Sequence, residues 1–236
     1  MIADSNSKYQ NPRLIEKKAL GGLGLFTPGF VKPRTGRAYC SSRDWPNSRF
    51  PANNLEDKVM EQMAVRDHSL LLFGAPCNDI SNIGEIQDIT EKHRLAVKSS
   101  QNCITLAEKT LMKFPTLETV LITERMPRAD HLSDLSEYSN FALRTLVEKS
   151  PLYRRIKVVP MESMHFSTDK RMSEIFGSPN SSSFDGIHPK GKLGSRLYND
   201  CLISAIKTAG ISNPRERVEP HEVLQTPVNN MFEVLN

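Results

Sequence analysis

Three short runs of branched apolar residues constrain this chain more than any other feature: His68-Ser69-Leu70-Leu71-Leu72-Phe73, residues 119–123 with Val120, Leu121 and Ile122, and residues 156–159. Each has the length of a buried strand, and stretches of helical periodicity separate them. Apolar side chains recur at helical spacing in 55–65 (Val59, Met63) and in 90–113 (Leu95, Cys103, Leu106, Ala107, Leu111, with Phe114 just beyond). They do so again in 133–149 (Leu135, Tyr138, Ala142, Leu146) and in 190–209 (Leu193, Leu197, Cys201, Leu202, Ala205, Ile206). Asn54 is placed to cap the first of these helices. Weaker strand-like pieces at 1–3 and 19–20, with a short helix over 11–18 between them, bring the expected sheet to about five strands. Strands alternating with helices predict the α/β class, with a mainly parallel sheet covered on both faces.

At 236 residues the chain suits one such domain with a single sizeable core. Residues 1–210 read as that domain, and 211–236, rich in Pro, Glu and Asn, as a flexible tail. Residues 27–54, with Pro28, Pro33, Pro46 and Pro51, read as a long irregular loop. Residues 161–183, rich in Ser and Met, read as a connection of no clear period. No apolar run approaches the length that spans a bilayer, and the N-terminus has no signal-peptide core. Cys40, Cys77, Cys103 and Cys201 are scattered and form no CxxC pair. Together these predict a cytoplasmic protein with reduced thiols.

The net charge of +4 is unevenly placed, because residues 1–50 carry nine Lys and Arg against three Asp and Glu. Such a stretch is either a solvated loop face or a patch for a phosphate-rich partner such as RNA. Within it Tyr39, Trp45 and Phe50 stand among Arg37, Arg43 and Arg49. That pattern can stack bases or pin a loop to the body.

Chemistry concentrates at Phe184-Asp185-Gly186-Ile187-His188-Pro189. A carboxylate and an imidazole three residues apart, on a Gly-containing turn, predict an Asp that orients and polarises a His. Pro189 fits the first turn of the helix that follows. A histidine so placed needs a nucleophile, and Ser5 in Met1-Ile2-Ala3-Asp4-Ser5 supplies a hydroxyl. Gly21-Gly22-Leu23-Gly24 permits close backbone approach, and Gly74-Ala75-Pro76-Cys77-Asn78 ends in an amide donor on a loop. In open parallel sheets ligands bind at the carboxyl edge of the strands, where all four pieces can converge. Singly, each has a bland reading: a surface serine, a structural histidine, a capping asparagine.

In this order, Ser5, Gly24, Asn78 and the Asp185–His188 turn resemble the SGNH (GDSL-type) hydrolase family, over residues 5 to about 210. The resemblance implies a three-layer α/β/α domain with a flavodoxin-like, mainly parallel sheet of about five strands. It implies a serine esterase acting on a small acyl ester, with no metal and no organic cofactor. Ser5 would be the nucleophile, His188 its general base, and Asp185 the orienting acid. Gly24 and Asn78 would donate to the oxyanion beside the Ser5 N–H. The sequence departs from the family at Ala3-Asp4-Ser5, where Gly-Asp-Ser is usual. Three residues rather than one separate Gly74 from Asn78, and Gly22 competes with Gly24 as donor. Only three residues precede Asp4, as in a fragment of a longer protein.

Other motifs are incomplete. Ser5-Asn6-Ser7-Lys8 lacks its Ser-Asp-Asn and Lys-Thr-Gly companions, and no Gly-x-Ser-x-Gly elbow occurs, which counts against the α/β-hydrolase fold. The alternative function is a catalytically weak or inactive SGNH-like module that binds RNA or a protein partner. More distantly, the chain resembles the RNA-binding SGNH-like domain of Oskar and esterase-like domains encoded by retrotransposons. Beside the basic first fifth, Arg125, Arg128, Arg154 and Arg155 are the contacts this alternative would use.

Overall fold

The computed structural model describes residues 55–64, 69–126, 128–161, 169–178, 180, 182 and 184–208. The expected strands at 1–3 and 19–20, the helix at 11–18, the 27–54 loop, the Asn54 cap and the 211–236 tail lie outside the described residues.

The three apolar runs are strands: β1 (Leu70–Gly74), β2 (Thr119–Thr123) and β3 (Ile156–Val159). They pair in parallel in the order β1-β2-β3, with Leu72 opposite Leu121 and Ile122 opposite Val158. Helix α1 (Leu55–Met63) precedes the sheet, while α2 (Cys77–Gly84) and α3 (Ile89–Lys113) connect β1 to β2. Helix α4 (Ser133–Glu148) connects β2 to β3, and α5 (Asp169–Phe176) and α6 (Gly191–Thr208) follow.

The two-residue period of the strands divides their side chains between two cores. Leu72, Leu121 and Val159 meet α5 and α6 through Ile175, Phe176, Tyr198, Leu202 and Ile206. Leu71, Phe73, Val120, Ile122 and Ile156 meet α1, α3 and α4 through Val59, Met63, Cys103, Ala107, Leu111 and Leu143. Helices therefore cover both faces of a parallel sheet. Burying one such side chain stabilises by about 1.5–3 kcal/mol. Val120, Leu121 and Ile122 are wholly buried, which makes β2 the spine of the domain.

Four of the expected helices are present with ends shifted by a residue or two. Helix α3 starts one residue early because the Asp88 side chain accepts from the Thr90 and Glu91 amides, at 2.8 and 3.2 Å. Two helices were not expected. Residues 161–183 contain α5, whose Ile175 and Phe176 are buried by α6 rather than marked by any period of their own. Asn78 stands on α2 and not on a loop.

Two inward assignments are corrected. Tyr138 is 41% exposed, its ring lying 4.6 Å from that of His93, because α4 turns its polar side to α3. There Ser100 Oγ donates to the Ser139 carbonyl (2.6 Å) and Ser139 Oγ to the Ala96 carbonyl (2.9 Å). Leu193 is 60% exposed, and Tyr198 fills the core in its place. Pro189 is buried but lies before the first turn of α6, which begins at Gly191.

Candidate active site

The turn before α6 is built around one carboxylate. Asp185 Oδ1 accepts from the backbone amides of Ile187 (3.0 Å) and His188 (2.9 Å). Its Oδ2 lies 2.9 Å from His188 Nδ1 and 3.5 Å from Lys190 Nζ. The three-residue spacing lets one side chain bind both the backbone and the ring of His188. Partial burial of Asp185 opposes its charge, but the His188 and Ile187 amides, then the His188 ring, outweigh it. They hold the carboxyl well below the usual range. Gly186 sits at φ +67°, a conformation costly for other residues. A Cβ there would come within 3.0 Å of the Asp130 backbone nitrogen.

Asn78 lies in the first turn of α2, after Pro76 at the N-cap. The extra residues between Gly74 and Asn78 have a place in the fold. The Ala75 amide prolongs the sheet ladder to the Thr123 carbonyl (2.9 Å), and Pro76 starts the helix. Asn78 Nδ2 is buried and has no hydrogen-bond partner among the described residues. An orphaned buried donor costs about 1–3 kcal/mol, so such groups mark places where an acceptor is expected.

Residues 124–126 and 128–130, which follow β2, tie these pieces together. Glu124 is buried, accepting from Arg144 (2.5 Å) and from the Met161 amide (2.9 Å). Arg125 is wholly buried; its Nε donates to the Pro76 carbonyl (3.2 Å) and its amino groups to Ser99 and Ser100. Ser99 Oγ donates in turn to the Asp79 carboxylate. The Asn140 amide clamps the Arg125 backbone, accepting from its N–H (2.9 Å) and donating to its carbonyl (3.0 Å). Arg128, also buried, forms a two-point ion pair with Asp130 at 2.8 and 2.5 Å. Burial opposes the Asp130 charge, but the Arg128 hydrogen bonds and charge prevail, and its carboxyl is held low.

The structure thus brings the Asp185–His188 pair to the same edge of the sheet as Asn78, linked through residues 128–130. Ser5 and Gly24 lie outside the described residues. Arg125 and Arg128 are withdrawn from the expected RNA-facing surface, because both guanidiniums are consumed inside the protein. Arg155 spends its guanidinium on the carbonyls of Leu117 and Glu118, whereas Arg154 is exposed over the Tyr153 ring. Nothing in the spacing of Arg125 and Arg128 distinguished them from surface arginines. Among the described residues, no three His, Cys, Asp or Glu side chains gather as a metal site, and no helix is long and apolar enough to cross a membrane.

No protein-family model matches the chain, and no curated protein matches it. Among solved structures it is similar to LAE5, an alpha/beta hydrolase enzyme from the metagenome of Lake Arreo, Spain, at 13% identity and a TM-score of 0.49. That likeness covers 87% of this chain and 92% of the other. A likeness of this degree leaves the site to be judged on its own residues.

Proposed function

We propose that residues 1–210 form an SGNH-type serine hydrolase that cleaves acyl esters through an acyl-serine intermediate. The observation that carries this reading is the contact of 2.9 Å in which Asp185 Oδ2 accepts from His188 Nδ1, on a carboxylate locked by two backbone amides. A ring held by Nδ1 presents Nε2 as its base, the arrangement that activates a serine hydroxyl. The unpaired Asn78 amide on the same edge supports an oxyanion role.

In this mechanism Ser5 Oγ attacks the ester carbonyl carbon while His188 takes the hydroxyl proton. The carbonyl electrons move onto oxygen, which accepts hydrogen bonds from Asn78, Gly24 and the Ser5 N–H. Collapse of the tetrahedral intermediate expels the alcohol, which leaves with the proton from His188. Water then attacks the acyl-serine with His188 again as base, releasing the acid and restoring Ser5.

Hydrolysis of p-nitrophenyl acetate and covalent labelling by a fluorophosphonate probe test it. Ser5→Ala and His188→Ala should each abolish nearly all activity. Asp185→Asn should fold and lose up to roughly four powers of ten in rate, if it matches well-studied triads. The three losses should not add, because the residues act as one unit. Turnover that survives Ser5→Ala would remove Ser5 from the mechanism. No turnover and no labelling, with salt-dependent RNA binding, would favour the binding module instead.

A further inference from the structure

We propose that Arg128 is a positioning residue that fixes the Asn78 amide relative to the Asp185–His188 pair; the proposal rests on the esterase reading above. Asn78 and that pair come from distant parts of the chain, yet in that reading they act on one carbonyl group. Arg128 has a hold on both sides. Its Nε and Nη2 grip the Asp130 carboxylate, and Nη1 donates to Ser81 Oγ (3.1 Å) and toward the Cys77 carbonyl (3.4 Å) on the first turns of α2. The Asp130 side is fastened to the catalytic turn. The Ala129 amide donates to the Gly186 carbonyl (2.9 Å), between Asp185 and His188, and Gly186 lacks the Cβ that would push Asp130 away.

A guanidinium is planar and rigid, so gripping a carboxylate in two places fixes where its remaining amino group points. Helix α2 therefore cannot slide relative to the turn without breaking the bonds that Nη1, held by the fork on Asp130, makes to Ser81 and Cys77. Stability alone does not call for this arrangement, since apolar residues of similar volume in place of both partners of a buried ion pair cost little. Lysine would keep the charge and lose the geometry, because its ammonium is a single point.

The test uses Arg128→Lys, Arg128→Met and Asp130→Asn in the full chain. With p-nitrophenyl acetate, kcat should fall by roughly ten- to a hundredfold while KM changes little, as expected for misplaced rather than missing groups. In isotope-labelled protein the Asn78 side-chain amide and the His188 ring should both shift their NMR signals in Arg128→Lys. Asp130→Asn should give the same paired shift in smaller measure. Either signal left at its wild-type position in Arg128→Lys overturns the proposal, as does an unchanged kcat or failure of all three variants to fold. A wild-type protein that neither hydrolyses nor labels would sink the esterase reading, and the paired NMR shift would still decide on Arg128.

Discussion

Asp185 uses its two oxygens for different ends. Oδ1 shapes the turn by accepting two amides, and Oδ2 faces the imidazole. An asparagine can keep the first function and not the charge of the second. The folded carboxyl titrates below its unfolded value, so its charge stabilises the protein above the unfolded value and that contribution is lost as pH falls toward the folded one. At neutral pH the wild type should therefore melt above Asp185→Asn, and the gap should narrow below about pH 4. The side chain is 41% exposed, so solvent screening keeps the gap to a few degrees at most. Thermal melts at pH 7 and pH 3 measure it; a gap that widens in acid contradicts the assignment. The Asp-Gly-Ile-His spacing made this pair legible in the sequence. Lys190 was not legible, because its approach to Asp185 depends on how the turn folds back.

Among the elements, α5 shows how a helix can be set by its contact with another, here α6. Gly194 lets α6 cross the end of α5 so closely that a Cβ there would run into the Ile175 carbonyl. That same carbonyl accepts from the Lys190 amide (2.8 Å), at the start of α6. In an ordinary helix interior Gly→Ala gains about 0.5–1 kcal/mol. Here the sign should reverse, with Gly194→Ala destabilising by about 1–3 kcal/mol through overpacking. A denaturant melt that shows Gly194→Ala at or above wild-type stability would mean the crossing is looser than described. Helices α1, α3, α4 and α6 were readable because their buried stripes repeat over several turns. Helix α2 was not, since Asn78, Asp79, Ser81, Asn82 and Gly84 spell a turn, and burial of Cys77, Asp79, Ile80 and Ile83 holds it as a helix. The sheet was readable wherever branched residues are buried on both faces, as in β2.

Across the whole molecule, the part of the site that escaped the sequence is its internal wiring. Charged residues have no periodicity that separates an inward arginine from a surface one, so Arg125 and Arg128 read as partner contacts until packing is known. The same wiring encloses Cys103, which lies between the sheet and α4. Burial, opposed by Arg125 and reinforced by Asp79, pushes its thiol up to about 12. Cys103 should therefore resist thiol reagents in the native protein and react at the rate of global unfolding, in step with the loss of circular dichroism in denaturant. Labelling of Cys103 well before unfolding would show that the α3–α4 seam opens by itself. Asp79 and Arg125 meet through Ser99 in that same enclosure. Exchanging either alone strands a buried charge, whereas exchanging both for apolar residues of matching volume need not. Descent of this sequence would then keep the acid at 79 and the base at 125 together or shed them together, a correlated substitution between positions that never face solvent.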